Sequence, residues 1–205
     1  MLRIEFPEAR TPAQRPAIFI DRDGVINCRR AGGYVLNWAQ FEFVEGIRAA
    51  LKQIASLGLP MIVISNQAAV GKGLLDEKGL RDITSRMRQE LLAGGAPIAA
   101  AYYCTHRTDE HCACRKPKPE LLFRAAQDFD IDLGRSVFIG DSETDIRAAQ
   151  AAGCAPVLFG SGLTNHSDSE EWMKGVPAAA RPEQLFEVVS KRLHGLEAGA
   201  RSRAV

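Results

Sequence analysis

The sequence predicts an α/β fold in which a parallel sheet carries helices on both of its faces. Three observations lead to it. Short apolar runs alternate along the chain with longer segments of helical periodicity, the order that builds a parallel sheet. The runs, among them Ala17-Ile18-Phe19-Ile20 and Ile62-Val63-Ile64, are continuously apolar, as strands buried on both faces are. Several of them stop abruptly at polar residues, which is how an open sheet delivers chemistry to its carboxyl edge. Together these describe a Rossmann-like architecture.

In chain order, Pro16–Ile20 is the first expected strand, and a helix follows over Glu45–Leu57, closed by Gly58. Leu59–Ser65 is the second strand. Asp76 is a suitable N-cap for a helix over Asp76–Leu92, and Gly94-Gly95 stops it. Ile98–Cys104 reads as a third strand, and Pro119–Phe129 as a helix with proline in its first turn. Ser136–Gly140 is a fourth strand, Glu143–Ala152 a helix ended by Gly153, and Ala155–Phe159 a fifth strand. Arg181–Leu193 is the closing helix. Cys28–Phe43 and Thr105–Lys118 stay irregular.

At 205 residues the chain is sized for one domain, expected over 16–195. Residues 1–15 are expected to be an N-terminal arm and 196–205 a flexible tail, both being short of periodic apolar residues. A net charge of +1 gives no basic field for nucleic acid, and no apolar run approaches membrane-spanning length. The first residues lack the cationic-then-apolar order of a secretory leader. The expectation is a cytoplasmic monomer acting on a small molecule, with neither nucleic acid nor membrane as partner. In that compartment the five cysteines favour metal ligation or free thiols over disulfides.

The chemistry gathers at strand ends. Asp21 and Asp23 follow the first strand directly, and residues two apart point to one side of an extended chain. Such a pair suits a hard metal, a nucleophile with its acid/base partner, or both. Alone, Asp-x-Asp-Gly would equally describe a solvated turn. Ser65-Asn66-Gln67 ends another strand with groups that can hold a phosphate or carbonyl oxygen, although such runs are also common turns and helix caps. Lys116-Pro117-Lys118-Pro119 sets cations just before a helix start, a geometry suited to an anion. Phe138-Ile139-Gly140-Asp141 is a further buried strand ending in an acid, with Asp145 one helical turn on. Carboxylates for Mg2+, a nucleophile, and hydroxyl and ammonium donors for phosphate oxygens are what phosphoryl transfer through an aspartyl phosphate requires.

Cys104-Thr105-His106 and Cys112-Ala113-Cys114 are two soft ligand pairs in one short loop, immediately before Arg115-Lys116. The set Cys104, His106, Cys112 and Cys114 matches closed tetrahedral Zn2+. His111 is the other candidate, but its neighbour Cys112 crowds it. With no open position the zinc is structural, and its expected work is to staple the loop and fix Arg115 and Lys116 over the site. Cys28 and Cys154 remain as small packed residues.

The order Asp-x-Asp, Ser, Lys, Gly-Asp-x-x-x-Asp, running from Asp21 to Asp145, resembles the haloacid dehalogenase superfamily of phosphatases over nearly the whole expected domain. The resemblance implies Asp21 as nucleophile, Asp23 as general acid and then base, and Ser65 and Lys116 as ligands of the phosphoryl group. It implies Mg2+ on Asp21, Asp141 and the Asp23 carbonyl. No insertion between Asp21 and Ser65, or between Ser65 and Lys116, could fold as a lid domain, so the enzyme is expected to be capless. A phosphotransferase such as a mutase, which needs a lid to exclude water, fits less well.

The zinc loop narrows the resemblance to the subgroup acting on heptose bisphosphates and histidinol phosphate. Gly33-Tyr34-Val35 and Phe41-Glu42-Phe43 look like the heptose branch. This implies removal of the 7-phosphate of D-glycero-D-manno-heptose 1,7-bisphosphate in nucleotide-heptose biosynthesis, with histidinol phosphate as the alternative. Asn27, Arg30, Tyr34, Asn66, Gln67 and Arg115 are the candidate substrate contacts, although Tyr34 reads as readily as packing. The rival from another class is a non-catalytic, zinc-stapled binding domain. Such a module has no need of Asp21, Asp23, Lys116 and Asp141 together.

Overall fold

Three unbroken apolar residues, Ile18–Ile20 (β2), set the plan of the molecule. Ile18 and Ile20 point into the core on one face of the sheet and Phe19 into the core on the other. The flanking strands repeat the alternation: Val63 joins Ile18 and Ile20, while Ile62 and Ile64 join Phe19. The structure, a computed structural model, describes residues 1–6, 14–30, 33–160 and 171–203.

Among these residues one seven-stranded sheet is formed. Its strands are β1 (Leu2–Glu5), β2, β3 (Met61–Asn66), β4 (Ile98–Cys104), β5 (Val137–Gly140), β6 (Ala155–Phe159) and β7 (Ala178–Ala179). Their spatial order is β1-β4-β3-β2-β5-β6-β7, all pairs parallel except β1 against β4. α1 (Ile47–Ala55), α3 (Glu77–Ala93) and α6 (Pro182–Arg203) cover one face through Leu51, Met87 and Val189. α4 (Glu120–Phe129) and α5 (Glu143–Ala151) cover the other through Leu121, Leu122 and Ala148. A short α2 (Ala68–Gly71) follows β3. As expected, Asp76 caps α3 by accepting from the Gly79 N–H at 2.7 Å. Among the described residues, the elements between β2 and β3 are a turn of 3-10 helix at Trp38–Gln40 and α1.

Two expectations at the chain ends are corrected. Within the expected N-terminal arm, Leu2–Glu5 is an edge strand in register with Tyr103 to Ala100. Its alternation is the cause: Leu2, Ile4 and Phe6 pack on the core while Arg3 and Glu5 turn outward. At the other end the closing helix runs on past Leu193 to Arg203, with Leu196 still packed against the core. Residues 7–13 of the arm and 204–205 of the tail lie outside the described residues.

The topology fixes the site. β3, β2 and β5 are adjacent and parallel, so their carboxyl ends bring Ser65, Asp21 and Asp141 to one edge of the sheet.

Candidate active site

Lys116 is the centre of the arrangement. Its side chain is almost wholly buried, and its Nζ lies 3.0 Å from Asp21 Oδ1 and 2.6 Å from Asp145 Oδ1 while donating to the Ile64 carbonyl at 2.8 Å. The Asn66 carboxamide grips the lysine's backbone from both sides: Nδ2 donates to its carbonyl at 3.2 Å and Oδ1 accepts its N–H at 3.1 Å. Burial alone would lower the lysine's pKa, but Asp145 and Asp21 outweigh it and raise it.

Asp21 follows β2 and is buried. Burial pushes its carboxyl up to about 7, with Lys116 opposing the rise and Asp145, Asp141 and Asp23 adding to it. Its Oδ1 also accepts the Arg22 N–H at 2.7 Å. Asp23 lies in the opposite regime. Burial would raise it, but the Arg22 guanidinium and hydrogen bonds from Asn27, Arg22 and Gln67 hold it below the usual carboxylate range. Those bonds are 3.0 Å from Asn27 Nδ2, 3.0 Å from Arg22 and 2.6 Å from Gln67 Nε2. Gln67 reaches Ser65 Oγ as well, at 3.2 Å.

Asp21, Asp141 and Asp145 place carboxylate oxygens within 4.8 Å of one another, a donor set that fits Mg2+. Asp145 thus joins Asp21 and Asp141 in the carboxylate cluster, while the Asp23 carboxylate is turned to Arg22, Asn27 and Gln67. Asp145 also braces the backbone. Its Oδ2 accepts from the Asp141 N–H, the Ser142 N–H and the Ser142 hydroxyl, tying the end of β5 to the start of α5. Two glycines permit this crowding. A Cβ on Gly140 would collide with Asp145, and one on Gly24, at φ +97°, would collide with Asp141.

Asp21, Asp23, Ser65, Asn66, Arg115 and Lys116 all line a cavity of about 630 Å3. Arg115 is half-buried, and among the described residues its buried NH1 has no hydrogen-bond partner. The other expected substrate contacts are placed differently. Asn27 is fully buried and committed to Asp23, as is the Gln67 amide. Arg30 is exposed and absent from the cavity wall. Tyr34 packs at the edge of the core with Lys72 Nζ 5.3 Å over its ring.

Sequence reasoning missed Arg29, which is exposed at the cavity mouth and forks onto Asp141, Nε to Oδ2 at 2.5 Å and Nη2 to Oδ1 at 2.6 Å. The signal was the Arg29-Arg30 pair behind the first acidic motif; which of the two faces inward is set by backbone direction. Arg29 and Ser142 also wall a second cavity of about 660 Å3, lined by Leu158, Phe159 and Trp172.

The Cys104, His106, Cys112 and Cys114 donors converge beside the cavity. Sγ–Sγ distances are 3.5 Å (Cys104–Cys112) and 3.8 Å (Cys112–Cys114), and His106 Nδ1 lies 3.7 Å and 3.2 Å from Cys104 and Cys114. Bonds of about 2.3 Å to a tetrahedral zinc set ligands about 3.8 Å apart, so the set fits that ion. Burial pushes the Cys114 thiol up to about 12 in such a cluster, the state that a divalent cation reverses. His111 turns away at φ +46°, and Lys118 Nζ pins the loop by donating to the His111 and Cys112 carbonyls.

A family model described as HAD-hydrolase-like matches residues 113–190. A D-glycero-beta-D-manno-heptose-1,7-bisphosphate 7-phosphatase from Helicobacter pylori (strain J99 / ATCC 700824) is 41% identical over 133 residues, 64% of this chain and 75% of that protein. A D-glycero-alpha-D-manno-heptose-1,7-bisphosphate 7-phosphatase from Burkholderia mallei is 39% identical over 150 residues, 70% of this chain and 78% of that protein. The crystal structure of a D,D-heptose 1,7-bisphosphate phosphatase from B. bronchiseptica, complexed with magnesium and phosphate, superposes with a TM-score of 0.77 at 29% identity, covering 86% of this chain and 98% of that one. Among the described residues no helix is long and apolar enough to cross a membrane.

Proposed function

We propose a function for this chain from one premise: it belongs to the haloacid dehalogenase-like hydrolases, in the family of the heptose-1,7-bisphosphate 7-phosphatases. It is a phosphoric monoester hydrolase that removes the 7-phosphate of a D-glycero-D-manno-heptose 1,7-bisphosphate. The observation that carries the reading is Lys116 locked between Asp21 and Asp145, with Asp141 beside them, in a cavity that also holds Ser65 and Arg115.

In this reading Asp21 attacks phosphorus through Oδ2, since Oδ1 is held by Lys116 and the Arg22 N–H. The leaving alkoxide takes a proton from Asp23, and Asp23 then takes one from the water that cleaves the aspartyl phosphate. In the resting site Asp23 is held ionised; an incoming phosphate dianion raises its pKa and supplies the acid form for the first half-reaction. Ser65 and Lys116 hold phosphoryl oxygens. Asp21, Asp141 and Asp145 would hold Mg2+, which offsets the charge of the phosphoryl group when bound. Cys104, His106, Cys112 and Cys114 would hold a structural zinc that keeps Arg115 and Lys116 in place.

Arg115, with its unpartnered NH1, is the group for the distal 1-phosphate, because a guanidinium binds phosphate in a two-bond fork. The test is kcat/KM on both anomers of heptose 1,7-bisphosphate, histidinol phosphate and a simple monophosphate ester. Arg115→Ala should weaken the bisphosphate about ten-fold or more beyond its effect on the simple ester. Equal losses would remove Arg115 from substrate recognition, and a higher kcat/KM for histidinol phosphate would overturn the substrate.

Purified protein should carry about one zinc per chain by elemental analysis. Cys112→Ser should lower both zinc content and thermal stability. Protein prepared without chelators and free of zinc would contradict the assignment.

Metal binding should also show a characteristic pH dependence. Asp21, raised from 3.8 to about 7, keeps a proton that the unfolded chain loses. Its stabilising contribution is complete below about 4 and disappears as pH rises through about 7. Since Mg2+ requires the ionised form, Mg2+ should raise the melting temperature more at pH 8 than at pH 5. Equal gains at the two pH values would contradict this account.

A further inference from the structure

Lys116 neutralises Asp21 and Asp145, and the third carboxylate of the cluster, Asp141, is paired with Arg29. Both Asp141 oxygens are engaged, in the forked geometry that makes arginine–carboxylate pairs strong. The fold makes room for it: a Cβ on Gly24 would meet both Asp141 and Arg29 Nε, so only glycine lets the pair lie against this backbone. The stem of Arg29 is fixed from behind, since Cys28 N–H donates to the Glu42 carbonyl at 2.8 Å and Asn27 bridges to Phe43. Its head is free to turn, with 56% of the side chain exposed at the wall of the cavity holding Asp21, Ser65 and Lys116.

We infer that Arg29 is a cation that exchanges between two partners. It covers Asp141 in the metal-free enzyme, leaves when a divalent ion is chelated, and then forks onto the phosphoryl oxygens of the bound ester. The inference rests on the reading that Asp21, Asp141 and Asp145 hold Mg2+. Charge drives the exchange. A guanidinium is always protonated, and keeping it within hydrogen-bond distance of a carboxylate that also ligates a divalent ion sets like charges a few ångström apart. Once displaced, the same planar fork fits a phosphate as well as it fitted a carboxylate. Lys116 is a weaker draw for that phosphate, because two buried carboxylates already neutralise it. Metal and phosphate binding are thereby coupled through one side chain: the ion releases Arg29, and the phosphate rewards its release.

The test is calorimetric titration of the folded, zinc-replete protein, first with MgCl2 alone and then with inorganic phosphate at saturating Mg2+. Arg29→Gln should bind Mg2+ about ten-fold more tightly than wild type, having lost a competing forked pair. Arg29→Lys should also bind Mg2+ more tightly than wild type, because an ammonium cannot make the fork. Phosphate at saturating Mg2+ should bind Arg29→Gln about ten-fold more weakly than wild type. These opposite signs are the signature, since a merely structural Arg29 would shift both affinities the same way. Unchanged or weaker Mg2+ binding in Arg29→Gln, or equal phosphate affinity, overturns the inference. Asp141→Asn separates the premises. If wild type binds Mg2+, Asp141→Asn does not, and Arg29→Gln matches wild type, the exchange fails and the metal reading stands. Mg2+ binding that is absent in wild type, or indifferent to Asp141→Asn, overturns both.

Discussion

Asp21→Asn should abolish phosphate release, lowering turnover by roughly 10^4-fold or more, the scale on which loss of a nucleophile acts. An amide oxygen is a poor nucleophile and forms no acyl phosphate. The fold should survive, because the asparagine oxygen can still accept the Arg22 N–H and Lys116 keeps Asp145 as its counter-ion. Steady-state phosphate release, together with a circular-dichroism melt of the same sample, separates the two effects. Turnover near wild type in a folded, zinc-replete variant would take the nucleophile's role from Asp21.

Lys116→Met should be comparably severe for activity and should damage the fold as well. Methionine matches the stem in volume but leaves Asp21 and Asp145 buried without their cation. Removing one partner of a buried ionic group typically destabilises by about 3–5 kcal/mol. Lys116 opposes the rise that burial imposes on Asp21, so without it Asp21 is pushed further toward its protonated form. Its folded pKa then lies further above the unfolded one, so stability present at low pH is lost as pH rises. The deficit relative to wild type should therefore be larger at pH 8 than at pH 5, as read by urea titration at each pH. A deficit independent of pH would mean that Lys116 acts through packing rather than charge.

The strands were legible in the sequence because this sheet is covered on both faces, so β2, β3 and β5 read as unbroken apolar runs ending at Asp21, Ser65 and Asp141. The convergence of those three ends follows from strand order, and the motif order implied it. β1 was missed for the opposite reason. It is an edge strand with one wet side, and its Leu2-Arg3-Ile4-Glu5-Phe6 alternation is too short to stand out. The partners of each acid were harder still. Nothing in the spacing says that Asn27 and Gln67 serve Asp23, that Asp145 sits opposite Lys116, or that Arg29 rather than Arg30 meets Asp141. Those pairings depend on how loops return over the sheet edge, a long-range property with no local periodicity.

The strand at the beginning of the chain bears on how the protein can be handled in the laboratory. Leu2–Glu5 hydrogen-bonds along the outer side of β4, a strand of small and aromatic residues, Ala99-Ala100-Ala101-Tyr102-Tyr103. Trimming those first residues, or displacing them with a bulky fusion, would bare a long, uncharged row of backbone donors and acceptors, a template for open-ended association of copies. The opposite border of the sheet is self-limiting, since β7 is only two residues long. Loss of β1 therefore invites precipitation while the cluster around Lys116 is untouched.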